Sequence, residues 1–350
     1  MIMRIINYRY LFLSIIFVSL FFASGFAQVK IVRSEFIYEK APFPSCHAST
    51  IAETPEGLVV AFFGGTAERN PDVGIWISRC IGSRWSEPKE VANGIQPDGN
   101  RYPCWNPVLF KFRNGPLLLF YKVGPSPSQW WGILIRSNDN GVTWSKPERL
   151  PEGFMGPVKN KPVLLKNGVL LCPSSTENNG WQVQMERTAD SGKTWTKTIL
   201  SGGENKFSAI QPSVLILPDG KLQILCRTKE GSIAQSYSED AGITWSALHT
   251  TSLPNPNSGI DAVTLKNGTQ LLVYNPTSTS KDGTSGPRTP LSVAITKDSK
   301  NWKDVMTLES EPGEFSYPAV IQTSDEQIQI TYTWKRKLIK HVTIEITNQN

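Results

Sequence analysis

An eight-residue pattern of the form S/T-x-D-x-G-x-T-W recurs along the chain and constrains its fold more than any other feature. It occurs at Ser137–Trp144, Thr188–Trp195 and Ser238–Trp245, and weaker copies end at Trp85 and Trp302. The five tryptophans that close these copies are separated by 59, 51, 50 and 57 residues. A period of about 50 residues is typical of a solenoid, a propeller or another repeat array.

Each copy of the pattern lies between two short runs of strand character, so it predicts a hairpin turn. Its Asp can accept backbone hydrogen bonds, its Gly can adopt a positive φ, and its Trp can pack on the strands. Further strand pairs flank turns at Pro218–Gly220 and Asn267–Gly268. With a last unit built from strands near 319–323, 328–333 and 340–346 and from the N-terminus, the repeats predict an all-β, six-bladed β-propeller.

The first 27 residues have the pattern of an export signal. Arg4 and Arg9 precede an apolar run at 11–22, and Gly25 and Ala27 supply the small residues of a cleavage site. We therefore expect a signal peptide at 1–27, one sialidase-like propeller domain at 28–350, and a periplasmic or secreted protein. No later run approaches the roughly 20 apolar residues of a membrane-spanning helix, so we expect no membrane insertion.

Charge and cysteine content exclude several classes of function. The formal net charge is +6, from 36 Lys and Arg against 30 Asp and Glu, and the basic residues are scattered along the chain. Nucleic-acid-binding proteins concentrate basic residues on one face, so we expect no nucleic-acid partner. Five cysteines without CxxC spacing and three histidines allow at most two disulfides and favour no zinc site, and we expect no cofactor.

The repeats are identified as Asp-box (BNR) repeats, and the chain resembles the sialidase (neuraminidase) superfamily across the mature sequence. Sialidases surround the substrate carboxylate with three arginines and use a Tyr nucleophile, a Glu that activates it, and an Asp acid/base. The hairpin from Gln211 to Arg227 is similar to the segment that ends with the second of those arginines. Arg288 resembles the third arginine, and Tyr317 in Phe-Ser-Tyr-Pro resembles the nucleophile.

Two departures from the sialidase pattern fall on groups that define its mechanism. Gln211 stands where the activating Glu is expected, and His47 stands where the first arginine is expected. Asp72 lies near the expected position of the acid/base Asp, with Glu68 as a nearby alternative. A neutral amide cannot act as a base toward a tyrosine, whose unperturbed pKa is about 10.

The replacements suggest proton abstraction next to a carboxylate. Arg227 and Arg288 would bind a uronate carboxylate and withdraw charge from it, His47 would take the adjacent proton, and Tyr317 would protonate the leaving oxygen. This chemistry is β-elimination from an acidic oligosaccharide or polysaccharide, by a polysaccharide lyase or an oligosaccharide dehydratase. Two alternatives remain open: a sialidase-like glycoside hydrolase that uses Asp72, and a non-catalytic glycan-binding propeller.

Aromatic side chains outside the repeats are candidates for stacking on sugar rings. Trp105 and Trp131 are the candidates for substrate binding, together with the neighbouring rings of Tyr102 and Trp130. Gln211 and Glu68 complete the predicted set of residues that contact the substrate.

Overall fold

The computed structural model describes residues 28–200, 208–280 and 284–347 of the chain. The described residues contain 25 strands and no helix, so none of them forms a helix that could cross a membrane. The predicted signal peptide at 1–27 lies outside the described residues.

The strands form six antiparallel sheets, which we number as blades I to VI in chain order. The first half of the chain contains β1 (Gln28–Phe36), and then blade I, with β2 (Ser45–Thr54), β3 (Gly57–Gly65), β4 (Gly74–Ile81), β5 (Arg84–Trp85) and β6 (Lys89–Ala92). Blade II contains β7 (Cys104–Lys111), β8 (Leu117–Val123), β9 (Trp131–Ser137) and β10 (Glu148–Arg149). Blade III contains β11 (Val163–Leu164), β12 (Leu170–Thr176), β13 (Gln182–Thr188) and β14 (Thr196–Ile199).

The second half of the chain follows the same plan. Blade IV contains β15 (Ala209–Ile216), β16 (Leu222–Thr228), β17 (Ser232–Ser238) and β18 (His249–Pro254). Blade V contains β19 (Asp261–Thr264), β20 (Gln270–Tyr274), β21 (Leu291–Thr296) and β22 (Lys303–Glu309). Blade VI contains β23 (Phe315–Gln322), β24 (Ile328–Trp334) and β25 (Leu338–Thr347).

The N-terminal strand completes blade VI and closes the ring. β1 pairs antiparallel with β25, and the register runs from Gln28 opposite Thr347 to Phe36 opposite Lys340. The order of the sheet is therefore β1-β25-β24-β23. The prediction of an all-β, six-bladed propeller whose last blade takes a strand from the N-terminus is confirmed.

The turns between the second and third strands of all six blades open on one face of the propeller, which we call the upper face. The described residues of these turns are 66–73, 124–130, 177–181, 229–231, 275–280 with 284–290, and 335–337. The Asp boxes lie between the third and fourth strands of a blade, so they occupy the opposite face. The boxes therefore support the blades without reaching the residues of the upper face.

The side chains of each Asp box tie its hairpin together. In blade III, Asp190 accepts hydrogen bonds from the backbone N–H groups of Lys193 and Thr194 and from the Thr194 hydroxyl. The Trp195 indole donates to the Gly192 carbonyl at 2.9 Å. Hydrogen bonds to the ionised carboxylate, first of all those from Thr194, lower the pKa of Asp190 below its ordinary value of 3.8.

Apolar side chains of adjacent sheets interlock to form the core. One cluster joins blades I and II through residues such as Phe63 and Leu119, and another joins blades III and IV through Met185 and Ile224. Removing these side chains from water is the main favourable contribution to folding. All five cysteines are buried and free.

We predict that Asp190→Ala lowers the melting temperature, because four donors of the blade III hairpin lose their acceptor. Lys193→Ala, at an exposed position of the same turn, is the matched control and should leave the melting temperature unchanged. Trp195→Ala should also destabilise, but by less than the roughly 3–5 kcal/mol of a fully buried Trp, because Trp195 is only partly buried.

The contribution of Asp190 should depend on pH. Its folded pKa is lowered, so the stabilisation is complete above the ordinary value of 3.8 and is lost as the pH falls through the folded pKa. Urea unfolding of the wild type and Asp190→Asn at a series of pH values measures this. A difference in stability that stays constant down to strongly acidic pH would contradict the assignment.

Candidate active site

In every blade, one residue within or shortly before the first strand has a left-handed backbone conformation. The six residues are Ala48, Asn106, Lys159, Gln211, Asn257 and Tyr317, with φ between 38° and 74°. In blades I, II, IV and VI, the pairing of the first and second strands skips two residues at this point. Such bulges turn side chains away from the alternation of a regular strand, here toward the axis of the propeller.

Left-handed backbone is unfavourable for residues other than Gly, and it concentrates at functional sites where the surrounding structure enforces it. A sequence signal accompanies it, since Asn106, Gln211 and Tyr317 are each followed by proline. Proline has no N–H to donate, so it fits where the ladder is interrupted. The repeated X-Pro pair is therefore a sequence signal that indicates Asn106 as a further residue of the site.

Tyr317 is the centre of the hydrogen-bond network at the axis. Its hydroxyl oxygen accepts a hydrogen bond from Arg227 Nη1 at 2.8 Å and another from Gln211 Nε2 at 3.2 Å. Arg227 Nη1 also donates to Gln211 Oε1 at 3.3 Å, and Arg227 Nε donates to Asn257 Oδ1 at 2.8 Å. No carboxylate of the described residues contacts the Tyr317 hydroxyl.

His47 packs against Tyr317, with 4.1 Å between the ring centroids. Its Nδ1 lies 2.9 Å from Thr333 Oγ1, which also accepts a hydrogen bond from the Ala48 N–H. His47 is only 2% exposed. Burial, reinforced by the charges of Arg336 and other nearby cations, holds the pKa of His47 well below its ordinary 6.5, so the imidazole is neutral at physiological pH.

Arg336 supplies a third arginine at the place where the sequence suggested that one was missing. Its Nε donates to Glu314 Oε1 at 2.7 Å, and its Nη1 donates to Glu68 Oε2 at 2.7 Å. Arg288 Nη1 donates to the same Glu314 oxygen at 2.8 Å. Arg336 lies in the β24–β25 turn between two lysines. In the sequence, such a run of charges is typical of a turn exposed to solvent.

Two lysines that precede the first strand of blade III, Lys159 and Lys161, contact blades V and VI near Tyr317. Lys159 Nζ donates to Asn160 Oδ1 at 2.8 Å and also to the carbonyls of Ile260 and Pro318. Lys161 forms an ion pair with buried Asp261 at 2.9 Å. Burial lowers the pKa of Lys159 to about 7. These contacts join blade III to blades V and VI and hold the backbone next to Tyr317.

The structure brings together His47, Tyr317, Gln211, Arg227, Arg288 and Glu68 of the predicted site. It does not bring Asp72 to them, because the Asp72 carboxylate accepts hydrogen bonds from the N–H and hydroxyl of Thr66 within its own exposed loop. Those bonds hold the pKa of Asp72 below its usual range although partial burial opposes them.

The predicted stacking residues also lie apart from Tyr317. Trp105 lies in strand β7, where its ring packs against Phe63 and Trp130 and its indole donates to the Gly124 carbonyl, so it belongs to the packing of blade II. Trp131 is half-buried, with its ring in contact with Arg149 and Tyr102. Neither tryptophan contacts the arginines of the site.

Positive charge dominates the site. Arg227, Arg288, Arg336 and Lys159 surround Tyr317 and His47. Glu314 and Glu68 pair with Arg288 and Arg336, and the half-buried Glu177 carboxyl lies near Arg227 without a direct ion pair. Within the described residues, no group of three or more His, Cys, Asp or Glu could hold a metal ion. The arrangement is suited to binding an anion beside a neutral imidazole and a phenol.

Solved structures with the same fold include several sialidases. A protein of unknown function from Dyadobacter fermentans matches with a TM-score of 0.74 and 18% identity, over 91% of this chain and 100% of that one. The NanB sialidase of Streptococcus pneumoniae matches with a TM-score of 0.71 and 14% identity, over 89% and 70%. The intramolecular trans-sialidase of Ruminococcus gnavus matches with a TM-score of 0.69 and 13% identity, over 90% and 97%.

At such identities these similarities establish the fold alone, a six-bladed propeller like that of the sialidases named here. No curated protein matches the chain in sequence. The sequence profile of the family described as BNR repeat-like domain matches residues 56–330, which is most of the chain and includes all five repeats. The chain therefore belongs to the BNR repeat-like domain family.

Proposed function

We propose that the protein is an exported carbohydrate-active enzyme that cleaves a uronate-containing glycan by β-elimination. One observation carries the proposal: the Tyr317 hydroxyl is held by Arg227 and by the neutral amide of Gln211, and no carboxylate in the described part of the chain bonds to it as an activating base. The same residues, beside the neutral imidazole of His47, form a suitable site for removing a proton next to a carboxylate.

The arginines would bind the uronate carboxylate. Guanidinium groups form paired, charge-assisted hydrogen bonds with carboxylates, and Arg227, Arg288 and Arg336 all face the space around Tyr317 and His47. Binding there stabilises the negative charge that develops on the carboxylate when the adjacent C5 proton leaves.

His47 would act as the base through Nε2. When Nδ1 carries the proton and donates it to Thr333 Oγ1, Nε2 keeps a free lone pair. The surrounding cations disfavour an imidazolium in the free protein. A bound carboxylate offsets those cations, so the affinity of His47 for a proton rises when substrate is in place.

Tyr317 would act as the acid. Its oxygen accepts two hydrogen bonds from described residues, and its own proton is used in none of them. As His47 takes the C5 proton, the C5–H electrons form the C4=C5 bond, the C4–O bond breaks, and Tyr317 protonates the leaving oxygen. Arg227 then stabilises the phenolate. The products are an unsaturated uronate and a shortened saccharide, or water from a dehydratase.

A sialidase-like hydrolase is the second candidate, and the position of Arg336 favours it. Arg336 completes a set of three arginines, and it places the Glu68 carboxylate of the blade I loop at the site as a possible acid/base. This mechanism requires a base for Tyr317, and Gln211 cannot provide one.

We predict that the wild type generates the ultraviolet absorbance of a conjugated C4=C5 bond from acidic polysaccharides, with products whose mass identifies elimination. His47→Ala should lower turnover by about 10² to 10⁴-fold and leave binding nearly unchanged, because a general base acts in the transition state. Arg227→Ala should weaken both binding and turnover, since it would contact the carboxylate in the ground state as well.

Two results would contradict the elimination. One is a fully active His47→Ala enzyme. The other is robust release of sialic acid by Gln211→Glu, which restores a carboxylate beside Tyr317 and would favour the hydrolase. Binding of acidic glycans without any new product would instead indicate a non-catalytic propeller.

We also predict an unusual pH profile. A base must be neutral, so kcat/KM should rise through the lowered pKa of His47 and reach its plateau below pH 6.5. Arg336→Ala removes the largest charge that lowers this pKa, so the rise should move to higher pH. Arg33→Ala is the matched control, because Arg33 lowers the pKa of the distant His341 instead. An unchanged profile in Arg336→Ala would show that His47 is not the base.

A further inference from the structure

Trp181 lies on the upper face, in the β12–β13 turn of blade III, and is half-buried. Its indole Nε1 donates a hydrogen bond to Glu177 Oε2 at 3.0 Å, within the same turn. The bond fixes the orientation of the ring. Neither the Asp boxes nor the packing of the core accounts for an aromatic residue at this position.

Arg227 connects Trp181 directly to the candidate active site. The Arg227 guanidinium carbon lies 5.1 Å from the Trp181 ring centroid and 5.9 Å from the Tyr317 ring centroid. The two aromatic rings therefore flank one guanidinium, which also donates to the Tyr317 hydroxyl. A ligand whose carboxylate lies on Arg227 would have Trp181 beside it.

Lys229 adds a positive charge on the outer side of Trp181. It lies in the β16–β17 turn of blade IV, its ammonium is 4.4 Å from the Trp181 ring centroid, and it is exposed. Lys229 forms no direct ion pair with the described residues, because Glu230 accepts hydrogen bonds from the backbone N–H groups of Ser208 and Lys229. The half-buried Glu177 carboxyl is a nearby negative group: burial raises its pKa, and the charges of Arg227 and Lys229 oppose that shift.

We propose that Trp181 and Lys229 form a second subsite, which binds the neighbouring sugar of the same glycan and an anionic group on it. The inference deepens the proposed function and rests on it for the placement of the first sugar at Arg227. Aromatic rings stack on the apolar C–H faces of sugars, and an exposed ammonium attracts a carboxylate or a sulfate. The substrate is then an oligosaccharide with anionic groups on successive sugars, not an isolated uronate.

Binding of uronate oligosaccharides of defined length tests the subsite. Monomers, dimers and trimers prepared from pectin, alginate and chondroitin would be titrated by calorimetry into His47→Ala protein, so that turnover does not interfere. We expect at least one series to bind more tightly beyond one sugar. Trp181→Ala should remove roughly tenfold of that gain, which corresponds to about 1.4 kcal/mol, and leave the monomer affinity unchanged. Lys229→Ala should reduce the gain and its dependence on salt.

Two variants serve as controls. Trp181→Phe keeps an aromatic ring and should retain part of the gain, whereas Lys221→Ala removes an exposed lysine of blade IV that pairs with Glu239 near the Asp box. Lys221→Ala should have no effect. Equal loss of monomer and trimer affinity in Trp181→Ala would overturn the subsite, because Trp181 would then merely support Arg227. Affinity that does not rise with length in any series would also overturn it.

The two proposals fail separately. If the wild type forms no unsaturated product but Trp181→Ala still abolishes the gain with length, the subsite is supported and the elimination is wrong. If the product forms and the length dependence is absent, the elimination is supported and the subsite is wrong.

Discussion

The interruption of the β-ladder at the start of the blades is the constraint on which the site depends. In a regular strand, successive side chains point to opposite faces of the sheet. Such a strand could not bring groups from blades IV and VI into contact. The left-handed backbone at Gln211 and Tyr317 makes that contact possible. The hydrogen bond from Lys159 to the Pro318 carbonyl holds the chain there, so part of the folding energy maintains the site.

The fold could be predicted from the sequence because its signals are local. The hydrogen bonds of an Asp box lie within a few residues, as those of Asp190 with Thr188 and Thr194 show, so the same residues must recur wherever the turn does. The closure of the ring was also predictable, because the C-terminal sequence supplies three strands and a blade needs a fourth. What the repeats do not encode is which residues meet at the axis.

The site was predictable only where local structure fixes it. Gln211 and Arg227 lie at opposite ends of one hairpin, so their pairing in the structure follows from the turn between them. Arg336 and Trp181 lie in upper-face turns, and their roles depend on neighbours far away in sequence. Trp105 was predicted to contact the sugar because its sequence context resembles a loop, but it lies in the buried strand β7.

The amide at Gln211 makes the three arginines of the site unequal in charge. Arg288 and Arg336 both pair with Glu314, so a carboxylate already offsets part of their charge. The hydrogen-bond partners of Arg227, in contrast, are the hydroxyl of Tyr317 and the side-chain oxygens of Gln211 and Asn257, which are all neutral, and the Glu177 carboxyl acts on it only from a distance. A Glu in place of Gln211 would neutralise Arg227. The amide therefore leaves the charge of Arg227 without a direct carboxylate partner, so an anionic ligand of the proposed kind would bind most strongly at the arginine that also contacts Tyr317.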